Sequence, residues 1–187
     1  MAHGLRKVRH RCEFPLLLRL TNAVDICEVG VNRGRHLKWL AESDASHIHA
    51  VDTWHGMFEL PTEDHLQDLI DWTIRRQERN RFHFHVGKSV NVAKELAKQG
   101  LSFDFIYLDA DHAYESVIDD ILVWWPLVRE GGCLAGHNGL CSADPRKERE
   151  GVVAAVNEFV AILAEQLGVV PWAQDLLCSS WWIQKCL

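Results

Sequence analysis

Short apolar runs alternate along the chain with longer stretches of helical period. Five runs read as buried strands: AVDICEVGV (23–31), HIHAVDTW (47–54), FHFHVG (82–87), FDFIYLDA (103–110) and GGCLAGH (131–137). Near-continuous apolar runs of this length, punctuated by glycine, suit strands covered on both faces. Helices are predicted between them at 34–43, 89–99, 113–128 and 145–167. Val117, Ile121, Trp124 and Val128 recur at helical spacing and form one stripe. Val152, Val156, Phe159, Leu163 and Leu167 form another, with Gly168 as its stop. The last segment, LLCSSWWIQKCL (176–187), reads as an edge or hairpin strand, and residues 1–21 as an N-terminal arm or helix.

Strand–helix alternation implies a parallel sheet covered on both faces, with right-handed connections. Ligands of such sheets bind beyond the carboxyl ends of the strands. A length of 187 residues suits one domain. One segment, 55–80, exceeds what a loop and helix need. Thr62 is placed to cap a helix running to 79, with Leu66, Leu69, Ile70 and Ile74 on its inner face. Two roles stand open for it: a lid over the ligand side, or an extra structural helix.

Composition narrows the function classes. A net charge of −6 makes nucleic acid an unexpected partner. The basic run Arg6 to Arg11 reads as a solvated arm. No apolar stretch is long enough to span a membrane, and no secretory signal opens the sequence. The six cysteines lack CxxC spacing, and Cys27 and Cys133 sit inside strand-like runs. Free thiols and a cytoplasmic location are expected. His83 and His85 share one strand face. With no third ligand at suitable spacing, they read as solvent-facing or hydrogen-bonded, not as zinc ligands.

Candidate chemistry stands at the strand ends. EVGVNRG (28–34) closes the first strand, and Gly30 and Gly34 allow a tight turn close to a ligand. Asn32 occupies the place of the second glycine of G-x-G-x-x-G, so a ligand without a pyrophosphate fits better. Asp52 ends the second strand and can accept hydrogen bonds from ribose hydroxyls. VGKS (86–89) ends the third, where Ser89 can cap a helix or meet an adenine edge. Asp109, Asp111 and His112 end the fourth.

This order of motifs resembles that of class I S-adenosylmethionine-dependent methyltransferases over residues 22–187. FDFIYLDADH is similar to a segment of caffeoyl-CoA-type O-methyltransferases. DADHAYESVIDDI, GGCLAGHN and GVVAAVNEF resemble small bacterial methyltransferases carrying D-x-D-H-x-Y, G-G-x-x-x-G-H-D and G-V-x-x-A-V. The resemblance implies a Rossmann-like, doubly wound, mostly parallel seven-stranded sheet with an antiparallel C-terminal edge strand. It implies methyl transfer from S-adenosylmethionine to a hydroxyl of a small-molecule or sugar-like acceptor. Glu28, Gly30 and Gly34 then line the methionine end of the cofactor. Asp52 takes the ribose, Lys88 and Ser89 lie near the adenine, and Asn32 and Thr53 complete the set. Asp109 faces the cofactor amino group or a metal ion. A homodimer is allowed for.

For catalysis, His112 and Asp111 are the candidates, His112 standing where the caffeoyl-CoA-type enzymes carry a lysine. A histidine can act as a base near neutral pH. Asp109 and Asn138 are the candidate ligands of Mg2+ or another divalent cation. Asn138 replaces the Asp of the related pattern and offers only an amide oxygen. Two other readings stand: a cofactor-binding protein without turnover, and a D-x-D nucleotide-sugar glycosyltransferase.

Overall fold

In the computed structural model, residues 13–55, 63–137, 148–167, 172–174 and 180–185 are described. Their strands are β1 (Asp25–Val29), β2 (His47–Asp52), β3 (Phe82–Val86), β4 (Phe103–Leu108), β5 (Val128–Gly136), β6 (Trp172–Gln174) and β7 (Trp181–Gln184). Their helices are α1 (Phe14–Leu20), α2 (Arg35–Leu40), α3 (Glu63–Arg75), α4 (Ser89–Lys98), α5 (Tyr114–Trp124) and α6 (Glu148–Leu167).

The strands lie in the order β3-β2-β1-β4-β5-β7-β6. The β3 to β5 portion is parallel, whereas β7 runs antiparallel to both β5 and β6. Strand order reverses between β1 and β4, the place where a doubly wound sheet opens a crevice for a ligand.

Side-chain alternation along the strands feeds two cores. On one face, Cys27, Val29, Ile106 and Leu134 pack with Val92, Leu96, Ile121, Trp124, Val156 and Phe159, which belong to α4, α5 and α6. On the other, Ile26, Ile48, Phe105 and Tyr107 pack with Phe14, Leu37, Leu40 and Leu69, from α1, α2 and α3. Cys27 and Cys133 are free and buried, and burial raises both thiol pKa values well above the ordinary range. No described helix is long and apolar enough to cross a membrane.

Three local readings are corrected. The strand expected at 176–187 as an edge or hairpin strand is Trp181–Gln184; it pairs antiparallel with β6, as a hairpin strand does, but the edge place belongs to the short β6. The helix expected to reach 128 ends at Trp124 and passes through a 3-10 turn, Trp125–Leu127, into β5. Pro126 supplies no N–H to continue the helix. Ile74 is 54% exposed, whereas Leu69 is buried. Five residues turn a helix by about 140° beyond a full turn, so the two cannot share one face. Thr62, the expected cap of this helix, lies outside the described residues, as do Arg6 to Arg11.

Polar locks fix the amino end of the sheet. Asp104 accepts from Val24 N and Asp25 N at 2.8 and 3.0 Å, and Arg129 reaches Asp104 at 3.0 Å and Asp25 at 2.6 Å. Four histidines occupy one face of β2 and β3. His47 meets His83 at 3.3 Å, and His49 meets His85 at 2.9 Å, nitrogen to nitrogen. The buried His49 ring also stacks on His83 and meets the Phe103 edge.

Candidate active site

The β1 carboxyl end turns sharply. Gly30 has φ +86°, and its N–H donates to Val51 O at 2.8 Å. A Cβ there would stand 2.2 Å from Asp109 O, an overlap that only a shift of backbone could relieve. Glycine is therefore required where β1 and β4 approach, whether or not a ligand binds. Gly34 (φ +70°) starts α2, and a Cβ there would meet Leu69 Cδ2 at 2.2 Å. Helix α3 thus lies directly against the turn.

Asp52 is held from both sides. Its Oδ2 accepts from Asn32 N at 2.7 Å and its Oδ1 from Trp54 N at 2.8 Å. The Trp54 indole returns a bond to Asn32 O at 3.3 Å. Asn32 and Trp54 both adopt positive φ, uncommon for residues with side chains. The carboxylate is only half-buried, and each oxygen has a further lone pair for a hydroxyl donor. Such an acceptor suits a ribose diol. The neighbouring Thr53 hydroxyl accepts from His55 N at 3.3 Å.

The other residues of the expected cofactor set are distributed as follows. Glu28 is buried on β1, with Oε1 3.4 Å from the buried His36 Nδ1. Gly87 N donates to Asp52 O at 2.9 Å, which ties the end of β3 to that of β2. Lys88 is exposed at the start of α4. The Ser89 hydroxyl accepts from the Trp124 indole at 2.8 Å and is turned towards α5; no side chain caps α4.

At the end of β4 the two acids of the D-x-D pair separate. Asp111 is exposed and holds the first turn of α5, accepting from Ala113 N at 3.1 Å and Ser116 Oγ at 2.8 Å. Those bonds, the one from Ala113 first, lower its pKa. Asp109 gathers two imidazoles: its Oδ1 lies 3.3 Å from His112 Nε2 and 3.2 Å from His137 Nδ1. Burial opposes ionisation of Asp109, but the His112 and His137 hydrogen bonds outweigh it and lower its pKa. A glycosyltransferase-type D-x-D pair would share one ion; here the carboxylates face different partners.

Backbone contacts hold this cluster in place. Asp109 N donates to Val29 O at 2.7 Å and His137 N to Leu108 O at 3.0 Å. His137 O accepts from the Trp181 indole at 3.1 Å. A Cβ on Gly151 would lie 2.7 Å from both His112 O and Tyr114 N, so only glycine lets α6 lie against the His112 peptide. The Tyr114 hydroxyl donates to Glu158 on α6. His112 and His137 open onto a small recess walled by Leu108, Val117, Val152 and Trp181. Asp120 also lines it; burial raises this carboxyl to about 6.

Asn138 lies outside the described residues. The metal-ligating geometry that they do contain is Asp109, His112 and His137. His137 was legible only as the residue before Asn138 in GGCLAGHN. Gly151 and Trp181 were legible as a motif glycine and a strand aromatic, without their roles in holding the site.

The comparisons agree with this fold. No curated protein matches the sequence. TomG, an O-methyltransferase of tomaymycin synthesis from Streptomyces achromogenes solved with S-adenosylmethionine, superposes with a TM-score of 0.68 at 17% identity, over 94% of this chain and 78% of that one. CalS11, a TDP-rhamnose 3′-O-methyltransferase of calicheamicin biosynthesis, superposes at 0.63 and 19% identity, over 92% of this chain and 76% of that one. MycE, of the mycinamycin pathway, solved with Mg, S-adenosylhomocysteine and mycinamycin VI, superposes at 0.61 and 18% identity, over 93% of this chain and 48% of that one. At these identities the superpositions speak for the fold. The family model described as "Methyltransferase domain" matches residues 27–139, from β1 through the His112 and His137 segments. That match spans more than half of the chain, and the protein belongs to the methyltransferase domain family as a class I S-adenosylmethionine-dependent methyltransferase.

Proposed function

We propose that the protein transfers the methyl group of S-adenosylmethionine to a hydroxyl oxygen of a small-molecule or sugar-like acceptor. The observation that carries this reading is the linked set of strand ends: Asp52 holds Asn32, Asn32 belongs to the Gly30 turn, and Gly30 lies against Asp109. An acceptor suited to a diol and a polar cluster suited to handling a proton thus stand at neighbouring strand ends beside the β1/β4 switch point, where this reading places the cofactor crevice. TomG and CalS11 are O-methyltransferases on this fold, and the sugar substrate of CalS11 supports the sugar-like class.

The sulfonium methyl is the activated electrophile of the reaction. The chain's own work is to orient donor and acceptor and to handle the hydroxyl proton. Asp52 fits the ribose, and the buried Glu28 lies on the strand that leads into the Gly30 turn. The proton is handled at the Asp109–His112–His137 cluster, because the Asp111 oxygens are engaged with the start of α5. One carboxylate and two imidazoles are a poor fit for Mg2+, which takes oxygen ligands, so no step is assigned to that ion.

Isothermal titration with S-adenosylhomocysteine tests the cofactor half. Binding is expected without added metal, and Asp52→Ala should weaken it by about 1–3 kcal/mol through loss of the hydroxyl acceptor. Unchanged affinity in that variant removes Asp52 from the ribose site. Transfer of labelled methyl from S-adenosylmethionine to nucleotide sugars, compared with catechols, then assigns the acceptor class.

A further inference from the structure

We propose that Asp109, His112 and His137 form a two-histidine, one-carboxylate site that takes a first-row transition-metal dication, such as Co2+, Zn2+ or Fe2+, in preference to Mg2+. The proposal rests on the transferase reading of this crevice and gives it a metal chemistry of its own.

The geometry supports three ligands on one ion. One donor atom from each side chain lies within 4.8 Å of the other two. Asp109 Oδ1 is 3.3 Å from His112 Nε2 and 3.2 Å from His137 Nδ1. Ligand bonds of about 2.1 Å place neighbouring donors roughly 3.0–3.4 Å apart, from right-angled to tetrahedral coordination. Both measured separations fall in that span. The three residues come from the β4 end, the loop before α5 and the β5 end, and backbone hydrogen bonds fix Asp109 and His137. The close approach of Gly151 fixes the peptide of His112. The two imidazole donors lie within 4.8 Å of each other, and binding draws them together onto the ion.

The donor set decides which ion. Mg2+ keeps its waters and prefers oxygen in near-ideal octahedral geometry. Two of three donors here are imidazole nitrogens, which suit zinc, iron, cobalt and nickel. Asn138, whatever its position, offers a neutral oxygen and does not restore a hard site. Three protein ligands also leave room on such an ion for an exogenous oxygen, and an ion of this kind lowers the pKa of a bound hydroxyl. In this state His112 and His137 serve as ligands through nitrogens that otherwise face Asp109.

The test is a Co2+ titration of chelator-treated protein, followed by its visible ligand-field absorption, with competition by Zn2+ and Mg2+. One Co2+ per chain is expected, displaced by Zn2+ and retained in a large excess of Mg2+. His137→Ala and His112→Ala should each weaken Co2+ by more than the roughly 10–100-fold that loss of an outer-shell partner costs. S-adenosylhomocysteine titration and thermal melting of the same samples report folding and the cofactor half separately. Displacement of Co2+ by Mg2+, or unchanged Co2+ affinity in both folded variants, would overturn the site. So would Co2+ binding that survives His137→Ala and disappears with His47→Ala and His83→Ala, since the ion would then belong to the β2/β3 histidines. Loss of Co2+ binding with cofactor binding intact rejects the metal site alone; absence of both in folded wild-type protein rejects the transferase reading as well.

Discussion

Gly30 is constrained twice over, by its backbone conformation and by a backbone neighbour. Its φ of +86° disfavours a side chain, and a Cβ would sit 2.2 Å from the carbonyl oxygen of Asp109, the residue that follows β4. Strain and overlap add, each about 1–3 kcal/mol. Gly30→Ala should therefore lower the unfolding free energy by roughly 2–6 kcal/mol and weaken S-adenosylhomocysteine binding at the same time. Urea denaturation and titration of the same variant check both. A stable variant with normal affinity would mean that β1 and β4 can part at no cost. Glycine at this place was legible in EVGVNRG, but the sequence suggested that its purpose was to admit a ligand. The contact with Asp109 shows a second purpose, strand-to-strand approach, which no local pattern could reveal. Asp104 and Asp109 make the same point: both stand in FDFIYLDADH, yet one locks the amino end of the sheet through Arg129 and the other gathers imidazoles at the carboxyl end.

Elements were legible where one local signal decided them. The stripes Val117–Ile121–Trp124 and Val152–Val156–Phe159 gave α5 and α6 because both helices bury a single face on one core. Strand pairing was less legible, because the place of β7 between β5 and β6 depends on partners distant in sequence. The same holds for His137, which joins the site through β5 and Trp181 and not through a spacing to His112. Helix α6 provides a test. In an ordinary helix, glycine to alanine stabilises by about 1 kcal/mol. Gly151 should show the opposite sign, because its Cβ would meet His112 O and Tyr114 N, both backbone, at 2.7 Å. Gly151→Ala is expected to cost about 1–3 kcal/mol in urea denaturation. It should also weaken Co2+ while leaving S-adenosylhomocysteine affinity close to wild type. A stabilised variant would show that α6 does not hold the His112 peptide.

At the scale of the whole molecule, two buried groups of opposite sign lead the response to acid among the described residues. His49 is lowered from 6.5 to about 3, by burial first and then by His83, His85 and His47. Its folded pKa lies below its unfolded one, so the unfolded chain takes up a proton that the native state refuses. Stability is lost from about pH 6.5 downwards, at about 1.4 kcal/mol per pH unit. Asp120 is raised from 3.8 to about 6, by burial first. The native state protonates it earlier than the unfolded chain does, so stability is gained at the same slope between about pH 6 and 4. The two slopes cancel across that window. His83 and His85, lowered by burial and by neighbouring histidines, tilt the balance towards loss. Below it Asp120 drops out, and His49 is joined by Asp109, whose lowered pKa withdraws its contribution at the acid end. Wild type should therefore decline only gently to about pH 4 and then unfold steeply. Asp120→Asn removes the buried charge and isolates its share. At pH 7.5 the variant should be more stable than wild type by roughly 3 kcal/mol, and the advantage should shrink to near zero by pH 4. Urea denaturation of both proteins at several pH values measures this difference directly. An advantage that stays constant with pH would mean that Asp120 does not titrate in this range, and a variant less stable at neutral pH would mean that the ionised carboxylate is favourably partnered in the recess.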